Sequence, residues 1–169
     1  MKNLFLLLIL FFFSLFITNA QKFAYVDTEY ILAKIPEFNQ AQDKLDKISE
    51  DFQKEIEERY AEVEKMYRAY QQEQVLLTDE MKIKREEAII QRESDAKSLQ
   101  QKYFGPEGKL FVKRQELIKP IQDKIYDAIQ QLAIENKYQI IFDSSSDLIM
   151  LYKNNNLDKS DKILDLLGY

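Results

Sequence analysis

The sequence predicts a mainly α fold with a small α+β body, from which a long antiparallel helical hairpin projects, and three observations carry that prediction. From position 37 to 104 the chain has neither glycine nor proline and is rich in Glu, Lys, Gln, Ala and Leu, all good helix formers. In the first half of that stretch Phe38, Ala41, Leu45, Ile48, Phe52 and Ile56, then Tyr60, Val63, Tyr67 and Tyr70, recur in steps of three and four, the seam of a coiled coil. Strand-like stretches lie at the two ends, KFAYVD at 22–27 and YQIIFDSSSDLIMLY at 138–152.

The first twenty residues read as an address. Lys2 precedes the apolar run LFLLLILFFFSLFI and then Thr18, Asn19 and Ala20, the order of a secretory signal peptide cut after Ala20. The run is shorter than the roughly 20 apolar residues of a spanning helix; an uncleaved anchor is the alternative. No cysteine follows it, which excludes a bacterial lipoprotein anchor. The expected mature chain starts at Gln21 and is exported and soluble.

KFAYVD then forms a strand, and Thr28 to Ile35 a short helix with Tyr30, Ile31 and Ile35 as its apolar residues. Pro36 suits the first turn of the long helix that follows. Off its seam this helix is charged or Gln, so it has no core of its own and must pack against another helix. The candidate partner begins at Thr78, a good cap, followed by Asp79 and Glu80 in the first turn. Met81, Ala88, Ala96, Leu99 and Tyr103 continue a weaker seam. Pro36–Leu77 and Thr78–Lys119 are equally long, which suggests a hairpin with its tip near 75–80 and arms of about 60 Å; one unbroken rod is the alternative.

FGPEG at 104–108 predicts a kink or short break in the returning arm. Leu110, Leu117, Ile121, Ile125, Ala128 and Leu132 then resume helical spacing, Ile118 and Ile129 widen the stripe, and Pro120 is expected to bend the helix. Two short strands, Tyr138–Phe142 and Leu148–Tyr152, are expected around a Ser/Asp turn. A lone hairpin is marginal, so it should join the strand at 22–27 in a three-stranded sheet covered by Ile31, Ile121, Ile125 and Leu132. DKSDKILDLLG reads as a closing helix capped by Ser160, with Ile163, Leu164 and Leu167 as its buried side. The body thus comprises 21–35 and 120–169, and the arm 36–119.

Composition excludes much chemistry. The chain has no His and no Cys, which removes the usual general base, the thiol nucleophile, the disulfide framework and the common zinc ligands. With 24 Lys+Arg against 29 Asp+Glu, a net charge of −5 and no basic block, nucleic acid is not an expected partner. Asp143-Ser-Ser-Ser-Asp147 has a calcium-like spacing, but Leu148 and Asn154 stand where a calcium loop wants Gly and Glu, so a turn is expected. Runs such as KEIEER are solvated coiled-coil faces. No phosphate-binding glycine loop, nucleophile–base pair or isolated carboxylate pair is evident. A non-enzymatic protein without cofactor or metal is expected.

The order of elements resembles the Skp/OmpH family of periplasmic chaperones. FAYVDTEYILAKIPEF matches the family's N-terminal strand and helix, and IENKYQIIFDSSSDLIMLY with DKSDKILDLLG matches its C-terminal hairpin and helix. The resemblance implies a periplasmic homotrimer whose strands build a central body, with three hairpin arms around a cavity. Unfolded outer-membrane proteins would be held there without ATP. The best-known members are strongly basic, whereas this chain has pI ≈ 5.0. A lipopolysaccharide-binding patch is therefore not carried over, and membrane contact is left open.

Two sets of candidate residues follow. Phe23, Tyr25, Val26, Ile140, Ile141, Phe142, Ile149 and Leu151 are candidates for the subunit interface, because the successive apolar residues of YQIIF imply burial on both faces of a strand. A monomeric sheet core is the plainer alternative. Met66, Tyr67 and Tyr70 are more crowded than one seam requires, and with Met81 they are of the types, Tyr and Met, that adapt to irregular apolar segments. They and the tip trio Val75, Leu76 and Leu77 are candidates for client contact, against packing within the hairpin itself. The functional expectation is an ATP-independent holdase; the alternative is a structural coiled-coil adaptor of the envelope that binds one folded partner.

Overall fold

The computed structural model describes residues 21–146 and 150–169. Strand β1 (Lys22–Val26) leads into helix α1 (Thr28–Lys34), then α2 (Pro36–Glu73), α3 (Asp79–Phe104), α4 (Lys109–Asn136), strand β2 (Tyr138–Asp143) and helix α5 (Ser160–Leu167). The fold is mostly helical with a small two-stranded sheet. The expected signal peptide and Asp147–Ile149 lie outside the described residues. No described helix is long and apolar enough to cross a membrane. Contacts divide the described chain into two compact units, residues 33–125 and residues 21–32 with Tyr126–Tyr169.

In the unit of 33–125, Ile35 precedes α2 in extended conformation and Pro36 opens it, where its missing N–H costs nothing. Contacts between α2 and α3 pair Glu55 with Tyr103, Glu62 with Arg92, Tyr70 with Glu86, and Glu73 with Arg85. One number falls as the other rises, so the two helices run antiparallel. A single 3₁₀ turn, Gln74–Leu76, ends α2, and the Thr78 hydroxyl accepts the Met81 amide at 3.3 Å to start α3. Nearer its start, α2 packs on α4 instead: Ala41, Leu45 and Ile118 form a buried cluster bordered by Phe38, Leu110, Leu117 and Ile121. Ile121 thus packs against this cluster. Helix α4 runs through Pro120 without interruption.

Between α3 and α4 the chain turns at Gly105–Gly108. A Cβ on Gly105 would lie 2.4 Å from the Gln101 carbonyl oxygen, and one on Gly108 would lie 2.6 Å from that of Tyr103. Both positions therefore require glycine because backbone approaches backbone.

In the other unit β1 and β2 pair in parallel, Phe23 opposite Ile140, Ala24 opposite Ile141, Tyr25 opposite Phe142 and Val26 opposite Asp143. Tyr138–Phe142 thus joins the strand at 22–27, as expected. A parallel pair needs a long crossover, and residues 27–137 supply it. Met150–Tyr152 form no strand, Leu151 and Tyr152 are almost fully exposed, and among the described residues the sheet has two strands, not three. The other edge of β1 is occupied by a bridge to Asp158, with the Lys159 amide donating to the Tyr25 carbonyl at 2.9 Å.

Two polar locks hold this unit. Asp27 caps α1 by accepting the Tyr30 amide at 2.9 Å. The Asp143 carboxylate accepts the amide and hydroxyl of Thr28 at 3.2 and 2.6 Å, and those of Ser145 at 3.1 and 2.8 Å. Burial alone would raise the Asp143 pKa, but these donors outweigh it and hold the carboxyl below its ordinary value. Ser160 does not cap α5 as expected. It is buried, and its hydroxyl accepts the Asp27 amide at 2.9 Å, while Asp158 accepts the Ser160 amide at 2.9 Å. Ile163 and Leu164 are buried and Leu167 half-buried.

Candidate functional site

The α2–α3 pair has a closed half and an open half. In the closed half Phe52 stacks on Tyr103 with centroids 4.0 Å apart and planes 9° apart, and Phe104 meets Phe52 edge-on at 6.4 Å. The Lys109 ammonium lies 5.3 Å from the Tyr103 ring centre. The Tyr103 hydroxyl donates to Glu55 at 2.6 Å. That bond, then burial, raises the phenol's pKa, since ionising it would remove the donor. Ile56 and Ala96 are buried next along the pair, and a methyl side chain at Ala96 lets backbones approach.

Beyond Ile56 and Ala96 no residue between them in sequence is buried. The two helices there border a cleft of about 680 Å³. From α2 it is lined by Tyr60, Val63, Glu64, Tyr67 and Tyr70, and from α3 by Glu86, Ile89, Ile90 and Glu93. Tyr70 donates its hydroxyl to Glu86, and this bond is the first cause of a raised phenol pKa. Glu93 pairs with Lys97 at 2.7 Å, and that hydrogen bond raises the lysine's pKa. Glu64 pairs with Arg68.

Of the candidate contact residues, Tyr67 and Tyr70 line the cleft, while Met66 is half-buried and does not. Val75 and Leu76, in the turn, are each 84% exposed; Leu77 is half-buried and Met81 half-exposed. The α3 seam expected through Met81 and Ala88 is corrected, because both are exposed. Heptad steps back from Ala96 reach Glu93, Ile89 and Glu86, so the facing positions alternate carboxylate and isoleucine. Two carboxylates hid this seam from a search for apolar residues; counting fixed steps from Ala96 finds it.

The candidate interface residues separate into two groups. Tyr25 and Val26 are buried within their own chain, as is the neighbouring Ala24. Burial, then the nearby Asp158 carboxylate, raises the Tyr25 phenol's pKa. Phe23, Ile140 and Phe142 are exposed by 38–48%, Ile141 is half-buried, Leu151 is exposed, and Ile149 lies outside the described residues. Phe23 and Ile140 face each other across the strand pair, so the sheet leaves adjacent apolar side chains uncovered. Among the described residues no group of three acidic side chains is arranged to hold a metal ion.

Three comparisons bear on this architecture. A family model described as outer membrane protein (OmpH-like) matches residues 22–167. An uncharacterised protein of Aquifex aeolicus is 29% identical over 142 residues, covering 84% of this chain and 83% of its own. The crystal structure of a Caulobacter crescentus protein, described as a candidate outer membrane chaperone (OmpH-like), superposes with a TM-score of 0.67. It is 11% identical and the match covers 88% of this chain and 84% of that one.

Proposed function

We infer the function from one premise: this chain belongs to the OmpH-like family of outer membrane proteins, which its family model matches over residues 22–167. We propose that it is an ATP-independent holdase of the periplasm that shields unfolded outer-membrane proteins, and that it works as a homotrimer. In this reading the signal peptide is removed after Ala20. Residues 21–35 and 120–169 form the trimer body, and 36–119 form an arm, three of which surround the client.

The observation that carries the reading is the open half of the α2–α3 pair. A helix pair normally buries its apolar seam, because that burial is what holds two polar helices together. Here Tyr60, Val63, Tyr67, Tyr70, Ile89 and Ile90 border a cleft, with Val75 and Leu76 exposed in the adjoining turn. Such a surface gives an unfolded chain apolar contact, and the charged outer faces keep the complex soluble. Phe23, Ile140, Phe142 and Leu151 are proposed as the subunit contact, since their apolar side chains are exposed and β2 has no second strand partner among the described residues. Release needs no nucleotide if the client's folding into a membrane is the stronger sink.

The test is dilution of a urea-unfolded outer-membrane β-barrel protein into buffer without ATP while light scattering is followed. The exported protein should suppress the rise in scattering. Undiminished scattering with the protein present, folded and oligomeric would refute the holdase reading.

A further inference from the structure

We propose that the cleft between α2 and α3 binds unfolded segments in which aromatic or aliphatic side chains are accompanied by lysine or arginine. The inference rests on the holdase reading and deepens it by naming the chemistry of the segment held.

The cleft has a physical origin in the sequence of α3. Glu86 and Glu93 occupy two of the three positions that face α2 beyond Ala96. A carboxylate cannot be sealed into a dry seam without strong compensation, so the pair stays open there instead of closing as it does at Phe52 and Tyr103. Apolar walls are left without cover: Tyr67 is 50% and Ile90 is 65% exposed. A volume of about 680 Å³ accepts a few side chains at a time, the scale of a peptide site rather than of a folded partner's face.

Charge selects the occupant. The lining contains three carboxylates, Glu64, Glu86 and Glu93, and no lysine or arginine. Arg68 and Lys97 pair with Glu64 and Glu93 from one turn along the same helices and do not line the cleft. Glu86 receives the Tyr70 hydroxyl, a neutral donor. A cation on the bound segment therefore gains carboxylate partners beside an apolar wall, whereas an acidic segment meets like charge at short range. Exposed ion pairs are individually worth about 0.2–1 kcal/mol, so the preference is built from several weak contacts.

The experiment uses two short fluorescent peptides with the same Phe, Leu and Tyr content, one carrying Lys and Arg and the other Asp and Glu. Binding to the exported protein is read by fluorescence anisotropy at low and high salt. The basic peptide should bind roughly fivefold or more tightly at low salt, with the preference shrinking as salt is added. Glu86→Gln with Glu93→Gln should reduce that preference several-fold, Ile90→Ser should weaken both peptides, and Glu87→Gln, outside the cleft, should change neither. Equal or reversed affinities overturn the proposal, as does a basic preference untouched by the Glu86/Glu93 double change. If a second copy of this chain fills the cleft, the mass rises beyond the oligomer and neither peptide competes, which also overturns it. Loss of scattering suppression with peptide preference intact would refute the holdase reading alone; suppression without peptide preference would refute this inference alone.

Discussion

Tyr103 holds the closed half of the helix pair by two separable interactions, and substitution can tell them apart. Tyr103→Phe removes the hydroxyl that donates to Glu55 at 2.6 Å and leaves the ring stacked on Phe52. A hydrogen bond to a charged group is worth about 1.5–3 kcal/mol net, and Glu55 is half-exposed, so the cost should be near 1 kcal/mol. Tyr103→Ala removes the ring as well. Tyr103 is 6% exposed, so the loss adds a cavity of the kind that costs about 3–5 kcal/mol. At about 2–4 °C per kcal/mol for a chain of this size, Tyr103→Ala should lower the melting temperature by about 10 °C and Tyr103→Phe by about 3 °C. The assay is helical circular dichroism on heating at one protein concentration, since an oligomer's melting depends on concentration. The pH dependence supplies a second arm. The folded phenol's pKa is raised, so its contribution is fully present below pH ~10 and is lost as pH rises through the folded value. The gap between wild type and Tyr103→Phe should therefore narrow in strong alkali. If the two variants cost the same, or if Tyr103→Ala costs under about 1 kcal/mol, the stacked clamp does not exist in solution.

Three further outcomes follow from other parts of the chain. Gly108→Ala should destabilise by about 1–3 kcal/mol in a urea titration, because its Cβ would strike the Tyr103 carbonyl, while Gly168→Ala should cost only about 1 kcal/mol, since Gly168 has a left-handed φ of 89° but open space around its Cβ position. Asp143→Ala should remove the acid sensitivity that this carboxyl confers: its folded pKa is depressed, so it stabilises above the unfolded value and stops doing so as pH falls through the folded one. Wild type and Asp143→Ala should therefore converge in acid-unfolding curves, and parallel curves would sink this account. Ile140→Asp with Phe23→Asp should dissociate the proposed trimer in sedimentation while leaving helix content largely intact; an unchanged mass would move the interface elsewhere.

Much of this architecture was legible in the sequence because helical periodicity is local. The Phe38–Tyr70 seam faces a neighbouring helix nearly throughout, and Thr78 caps α3 as its position implied. The α3 seam is illegible to apolar content alone, because Glu86 and Glu93 sit at facing positions and Ile89, not the exposed Ala88, lies between them. Met150–Tyr152, the end of the expected hairpin, is the other departure, for a different reason. Local alternation marks that stretch as strand-like, yet among the described residues Leu151 and Tyr152 are exposed without a strand partner, while Tyr138–Phe142 pairs across the whole crossover with Lys22–Val26. The Asp143–Thr28 lock spans 115 positions and leaves no local signature. Ser160 has the residue type of a cap yet is engaged by the Asp27 amide, a contact only the folded unit brings together.

The most direct test of the central claim is the mass of the complex, measured by light scattering behind a sizing column after an unfolded outer-membrane β-barrel protein is diluted from urea into a slight excess of residues 21–169. The account predicts a single species of three chains and one client, eluting at the same stoichiometry without nucleotide. A species with one chain per client, or the client passing alone into aggregate while the protein elutes unchanged, would contradict it.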